Sequence, residues 1–360
     1  MKYLFLRLLG VATLWRWLNR KKITILVIHG VMSAELNSRW VPLRWQLDPR
    51  VLERCLRTLK RHYTFVSADE AVDIISGAAP ARNNCMLVTI DDAYLNAHRC
   101  AFPILKQYGI RPLLFVVSSK LENSDYFWFD YLDLCIQETA KSRSHIEFRG
   151  RRVDIDRHDR SAMTIACREI MHISRQDFAD DSTRMHAIRE LIDDLEFPNL
   201  TDSDSRDAVD QWIGIMNADD VRSAIAGGMD IGSHTVSHAR LVGMNEEGVK
   251  REVAESKTAI ELATGNECKY FCYPEGGVDN FAAEAISASN YRAAFTSNVG
   301  LAAVGDDLML LKRIHMPQPT DDAELLVVVS GLRDAVSGIK KSLMRRIEKL
   351  SGSERVNAKH

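Results

Sequence analysis

The sequence has no long apolar run, no glycine-rich phosphate loop, no cysteine framework and almost no net charge. Each absence excludes something. The N-terminal stretch MKYLFLRLLGVATLWRWLNRKK holds only eight residues, all uncharged, between Arg7 and Arg16, whereas a membrane span takes about twenty apolar residues. Trp15-Arg16-Trp17 offers no small-residue cleavage site, so a signal peptide is not expected. No G-x-G-x-x-G or Walker-type loop follows a strand-like run, which leaves a nucleotide-binding sheet without support. Formal net charge is −2 over 360 residues, so there is no overall polycation for nucleic acid to bind. The cysteines, Cys55, Cys85, Cys100, Cys135, Cys167, Cys268 and Cys272, are scattered and odd in number, unlike a disulfide scaffold. Cys268 and Cys272 have no second Cys or His pair nearby, so no structural zinc is expected there. A reducing, cytoplasmic compartment is.

What is present reads as a soluble globular enzyme, with 46% apolar and 27% charged residues. After the basic helix of residues 1–22, ITILVIHGV (23–31) reads as a strand and DPRVLERCLRTLKRHY as a helix, with Leu52, Leu56 and Leu59 at helical spacing. SADEAVDIIS opens with a Ser67/Glu70 capping box. CMLVTI (85–90) and PLLFVV (112–117) are continuous apolar runs, as strands covered on both faces require, and AHRCAFPILKQYG between them is a helix closed by Gly109. Residues 125–215 break the rhythm and read as a mostly helical insertion. Alternation then resumes: a helix capped by Asn217 and ending at Gly227-Gly228, strand MDIGSH, a helix from Asn245 to Gly265, strand YFCYP, a helix over 279–289, strands YRAAFTS and LMLLKRIHM, and helix AELLVVVSGL. This pattern predicts an α/β fold, a distorted or incomplete (β/α) barrel over residues 23–322 carrying the insertion, with residues 323–360 as C-terminal helices and a basic tail.

In such a barrel, polar residues at the C-terminal ends of strands face the active site. Asp91-Asp92, His234, Tyr273-Pro274-Glu275 and His315 all stand at strand ends. His234 and His238 are four apart; on one helical turn they point the same way and can share a metal. Two imidazoles and a carboxylate make a tripod that suits zinc. Adjacent aspartates leaving a strand point in different directions, so one can hold the metal and the other act as base. A helix cap would account for one aspartate only.

These segments, VTIDDAY…AFPILKQYGI…FVV, MDIGSHTVSHARL, YFCYPEGG, YRAAFTSNVGL and LKRIHM, resemble in order and spacing the motifs of the polysaccharide deacetylase (NodB-homology, carbohydrate esterase) family, over roughly residues 23–125 and 210–320. The resemblance implies metal-dependent removal of an acyl group, chiefly N-acetyl, from a sugar in a polysaccharide, lipopolysaccharide or lipid-linked glycan precursor. It makes Asp91 the catalytic base, Asp92, His234 and His238 the metal ligands, and His315 the general acid. It assigns Tyr273, Pro274 and Glu275 to substrate binding, with the Glu275 N–H toward the oxyanion. The metal implied is divalent, foremost Zn2+, with Co2+, Mn2+ and Ni2+ as alternatives. The sequence departs from the family where many members carry an Arg that orients the catalytic aspartate: Cys272 stands there, and Arg313 or Lys269 is the candidate replacement. An Asp-Trp pair that supports the late histidine in some members is also missing. His29 closes the first strand as a structural histidine or a substrate contact. These departures motivate the rival reading, a catalytically impaired metal-binding scaffold of the same fold in envelope-glycan assembly. A two-metal phosphoesterase would want more carboxylates and histidines.

Both ends are basic. The N-terminal helix either lies on an anionic membrane surface or docks on the protein's own body. IKKSLMRRIEKL places Ile339, Leu343, Ile347 and Leu350 on one face and Lys340, Lys341, Arg345 and Arg346 on others, a second candidate membrane contact. The expected setting is cytoplasmic, or peripheral on the inner face of the membrane.

Overall fold

A computed structural model of the chain describes residues 10–33, 41–122, 125–178, 181–197 and 203–336. Seven parallel strands form a closed ring: β1 (Thr24–Ile28), β3 (Cys85–Ile90), β4 (Leu113–Val116), β7 (Asp230–Ser233), β8 (Tyr270–Cys272), β9 (Ala293–Val299) and β10 (Leu311–His315), which returns to β1. The two-residue β2 (Thr64–Phe65) pairs beside the start of β3. The ring closes because β1 pairs with β3 on one edge and β10 on the other. Every residue of β1, β3 and β4 is buried, as their unbroken apolar runs require. Side chains alternate. Ile25, Leu87, Leu113, Phe115, Tyr270, Cys272, Phe295 and Leu311 share one buried cluster inside the ring. Leu26, Ile28, Met86, Val88, Leu114, Phe271 and Ile314 belong to the layer beneath the helices.

The helices start and stop where local chemistry directs. In α2 (Pro49–Lys60), Asp48 accepts from the Arg50 N–H, and Pro49 occupies the first turn, where a missing donor costs nothing. The Ser67/Glu70 box caps α3 (Ala68–Ser76). The segment before β4 is not one regular helix: Ala97–Ala101 is π-helical and α4 covers Phe102–Gln107. Pro103, with no N–H to donate, stands where the register changes.

The insertion is not wholly helical either. Between α5 (Trp128–Thr139) and α6 (Arg160–Gln176), β5 (His145–Phe148) and β6 (Arg151–Asp154) form an antiparallel hairpin. Arg149 and Gly150 turn it with φ of 55° and 67°, the left-handed pair that a two-residue hairpin turn needs. Ile146, Phe148 and Val153 pack with Leu132, Met163 and Ile170 in a separate core that also takes in Leu191 of α7 (Asp181–Asp194). Tyr94, Phe127, Phe129, Trp212 and Ile213 join the insertion, including α8 (Ser203–Ile213), to the barrel. After the insertion follow α9 (Ala218–Gly227), α10 (Glu246–Thr264), α11 (Asn280–Ala288) and α12 (Asp322–Val329). Asn217 and Asn245 cap α9 and α10, and Gly265 closes α10 in the left-handed region.

At the opposite rim from the strand C-terminal ends, α1 (Val11–Leu18) docks on the body. Ala12 packs with Val327 and Leu332, and Trp15 Nε1–H donates to the Ser330 carbonyl at 3.1 Å. The C-terminal basic segment lies outside the described residues.

Asp133 of α5 is buried and accepts the Leu43 N–H at 2.6 Å, tying the insertion to the loop before α2. Burial raises its pKa to about 6. A carboxyl raised above its unfolded value stabilises the fold fully at low pH, and that contribution is lost as pH climbs from about 4 through about 6. Asp133→Asn is therefore expected to flatten the fall in stability across that window by on the order of 3 kcal/mol, measured by urea unfolding at a series of pH values.

Candidate active site

The turn after β3 sets two carboxylates in opposite directions. Asp91 N–H donates to the Ile28 carbonyl at 3.0 Å, and the chain then turns through Asp92 and Ala93, with φ of 71° and 52°. Neither aspartate caps a helix. Asp91 meets Arg313, whose guanidinium donates to both carboxylate oxygens at 2.7 and 2.8 Å. The same guanidinium reaches the Thr296 carbonyl at 2.9 Å and Thr89 Oγ1 at 3.1 Å. Burial alone would raise the Asp91 pKa, but the guanidinium overrides it and holds it at about 2. Arg313 thus stands where the sequence has Cys272 in place of the usual arginine; Cys272 Sγ itself lies 3.1 Å from Arg313 Nη2. Lys269 turns away to Asp69, at 3.4 Å.

Asp92 meets the histidines. Its Oδ1 lies 3.5 Å from His234 Nε2 and 3.3 Å from His238 Nε2. The two imidazoles do not share a helical turn. Residues 234–238 form a loop, with Thr235 at φ 69° and His238 at φ 60°. The loop is held by a residue the sequence reading did not single out. The buried Glu252 carboxylate accepts from Val236 N–H at 2.8 Å, Ser237 N–H at 3.0 Å and Ser237 Oγ–H at 2.8 Å. Backbone groups that a helix would have paired internally are satisfied by this carboxylate, so the loop can splay the rings to 82° and still converge them on Asp92.

His315, at the end of β10, stacks on His29 at 5.9 Å between ring centroids, and His29 Nε2 stands 4.0 Å from Asp91 Oδ2. Partial burial and the Arg313 cation lower the His315 pKa. After β8, Tyr273 is buried and its hydroxyl donates to the Met309 carbonyl at 3.0 Å, so its ring is structural wall with a fixed edge. Glu275 sits at φ 54°, a strained conformation for a side-chain-bearing residue. A Cβ on the following Gly276 would lie 1.6 Å from Ser297 Oγ, so only glycine fits. Two further missed residues hold this turn. Arg175 of α6 and Arg184 of α7 reach the two Glu275 carboxylate oxygens at 3.0 and 3.1 Å. Against burial, these cations keep the Glu275 pKa below the usual range. A third, Arg44, stands 3.7 Å from both Asp92 Oδ2 and Asp130 Oδ1.

Among the described residues, two donor sets meet the distance requirement for a cation: Asp92, His234 and His238, and Asp91, His234 and Cys272. Only the first fits chemically. Both Asp91 oxygens are occupied by Arg313, and burial raises the Cys272 pKa, keeping the thiol protonated. In the first set, His234 Nδ1 is fixed on the Cys272 carbonyl at 2.8 Å, which leaves Nε2 for the metal. His238 Nδ1 is buried with no hydrogen-bond partner, and Nε2 is its atom beside Asp92. Asp91, Asp92, His234, His238 and Arg313 line one open pocket of about 310 Å³ that also takes in Phe129, Met171, Arg175, Glu275 and Ser297. A larger cleft of about 790 Å³ between Arg99, Tyr126 and Arg206 contains no such convergence.

Residues 205–294 match the model of the polysaccharide deacetylase family, a stretch that contains His234, His238 and Glu275. Over that stretch the chain is similar to the polysaccharide deacetylases. Over 125 residues it is 24% identical to YxkH of Bacillus subtilis (strain 168), a protein itself assigned to the polysaccharide deacetylases. That match takes in 34% of this chain and 42% of YxkH, so the chain spans about two fifths of the curated relative it matches. Among solved structures, the Streptococcus pyogenes deacetylase PplD in complex with acetate aligns with TM-score 0.55 at 17% identity, over 86% of this chain and 98% of that one. IcaB from Ammonifex degensii aligns equally well, with TM-score 0.55 at 16% identity, over 86% and 97%. The deacetylase barrel is therefore the fold of this chain, and the insertion is built onto it.

Arg313→Met, which strands the buried Asp91 carboxylate, is expected to cost about 3–5 kcal/mol in urea unfolding. Glu252→Gln keeps the shape of the loop support but weakens its acceptor. Zinc affinity, read by chelator competition, is expected to fall about tenfold or more.

Proposed function

We propose that the chain hydrolyses an N-acyl group, acetyl foremost, from a sugar of a polysaccharide, lipopolysaccharide or lipid-linked glycan precursor, with a divalent cation on Asp92, His234 and His238. The observation that carries this reading is the placement of an arginine-locked carboxylate, Asp91, beside a separate Asp-His-His donor set in one mouth. Zinc, when bound there, would polarise the acyl carbonyl and acidify water. The chain's own residues do the rest. Asp91, held ionised by Arg313, orients the attacking water and takes its proton. The Glu275 backbone N–H, fixed by the strained turn and its two arginines, faces the developing oxyanion. His315 gives a proton to the leaving amine nitrogen and is reloaded from solvent at the rim. Its lowered pKa makes the protonated ring a stronger acid for that step.

A glycan substrate, as opposed to a small amide, is supported by a second cavity of about 270 Å³ that shares His29, Arg44 and His315 with the first. Its wall carries Trp45, 50% exposed, a flat apolar face on which a neighbouring sugar ring can lie. The rival reading of an impaired scaffold loses one of its two motives, because Arg313 supplies the guanidinium that Cys272 cannot. All seven cysteines are free, which supports a reducing, cytoplasmic setting. There the terminal basic segments would meet an anionic membrane surface.

Asp92→Ala and His234→Ala are expected to lose zinc content and acid release together, scored by metal analysis and released acetate on a panel of acylated nucleotide- and lipid-linked sugars. His315→Ala should keep its zinc and lose about 10²–10⁴ in kcat. Full hydrolysis by zinc-stripped protein contradicts the reading. Trp45→Ala is expected to raise KM for oligosaccharides while leaving a monosaccharide substrate unchanged.

A further inference from the structure

The N-terminal helix docks on the body by one face and leaves another exposed. Ala12 and Trp15 fix α1 to the body through Val327, Leu332 and the Ser330 carbonyl. Leu14, Trp17 and Leu18, at helical spacing on another face, are 57%, 56% and 59% exposed. Exposed apolar residues of this size in one cluster, rimmed by charge, mark a contact surface. The rim has one sign. Arg20 stacks on Trp17 at 4.5 Å, Arg16, Lys21 and Lys22 lie alongside, and residues 1–22 contain no Asp or Glu. The sequence after Val336 is basic as well: residues 337–349 carry Lys340, Lys341, Arg345, Arg346 and Lys349 against the single acid Glu348. No described helix is long and apolar enough to cross a membrane.

We propose that this rim, centred on Leu14, Trp17 and Leu18, docks on the surface of an anionic lipid bilayer. Apolar side chains enter the headgroup boundary and the surrounding cations meet lipid charge. The docking face is at the N-terminal ends of the strands, and the active-site mouth is at their C-terminal ends. The five residues of β1 separate the two by roughly 17 Å at about 3.3 Å per residue. The mouth therefore opens away from the bilayer, and the sugar that reacts must stand off the lipid surface. The docking does not depend on deacetylation, and the two fail separately.

The test is co-sedimentation of the zinc-loaded full chain with vesicles of phosphatidylcholine, alone or mixed equally with phosphatidylglycerol. The chain is expected to pellet with the anionic vesicles, less so in high salt. The variant L14Q/W17Q/L18Q, with an unchanged melting profile and unchanged turnover of a soluble substrate, should bind about tenfold more weakly or worse. Wild-type binding by that variant overturns the proposal, as does absence of binding to either vesicle. A wild-type dimer that the variant converts to monomer, with no vesicle binding by either, assigns the face to self-association instead.

Discussion

The buried pair between Arg313 and Asp91 is the constraint from which the rest of the site follows. Their side chains are 3% and 5% exposed. Two such charges are tolerable in a barrel interior only when each is fully partnered. Arg313 is: its fork spends two donors on Asp91 and the others on Thr89, the Thr296 carbonyl and Cys272. These groups come from β3, β8, β9 and β10, so the pair ties half of the ring together at its C-terminal end. It also divides labour between adjacent aspartates. Because Asp91 has both oxygens committed, the imidazoles are left to Asp92.

The insertion is part of the site as well as an addition to the fold. Its helices supply Arg175 and Arg184, which hold Glu275 in a backbone conformation it would not keep alone, and Met171 and Phe129, which wall the pocket. From α5, Asp130 is raised by burial to about 8 and accepts the Tyr94 hydroxyl at 2.8 Å. Its Oδ1 and Asp92 Oδ2 each lie 3.7 Å from the same Arg44 nitrogen, Nη2. Insertion and barrel therefore share a polar seam that runs up to the donor set, and the shape of the mouth depends on both.

Much of this was legible in the residues. Unbroken runs such as CMLVTI announced buried strands, and caps at Ser67, Asn217 and Asn245 marked helix starts that the structure contains. The residues left the choice between Arg313 and Lys269 open; in the structure Leu311 and Arg313 share a face of β10, and Leu311 is inside the ring. Other features were not. The His234–His238 spacing suits a helix, and nothing local says otherwise, because the group that replaces the helical hydrogen bonds is Glu252, in the second turn of α10. Arg44, Arg175 and Arg184 resemble any surface cations until the insertion folds back over the mouth. The hairpin over 145–154 is short, and charged residues flank its few apolar ones, so its alternation is faint.

Asp92, His234 and His238 are the proposed metal ligands, with Asp91 kept on Arg313. Anomalous diffraction at the zinc edge, from crystals of the zinc-loaded chain, tests it directly. A single peak is expected within bonding distance of an Asp92 carboxylate oxygen and the Nε2 atoms of both histidines, with Asp91 outside the coordination sphere. A peak bound by Asp91, His234 and Cys272, with Arg313 displaced, would contradict it.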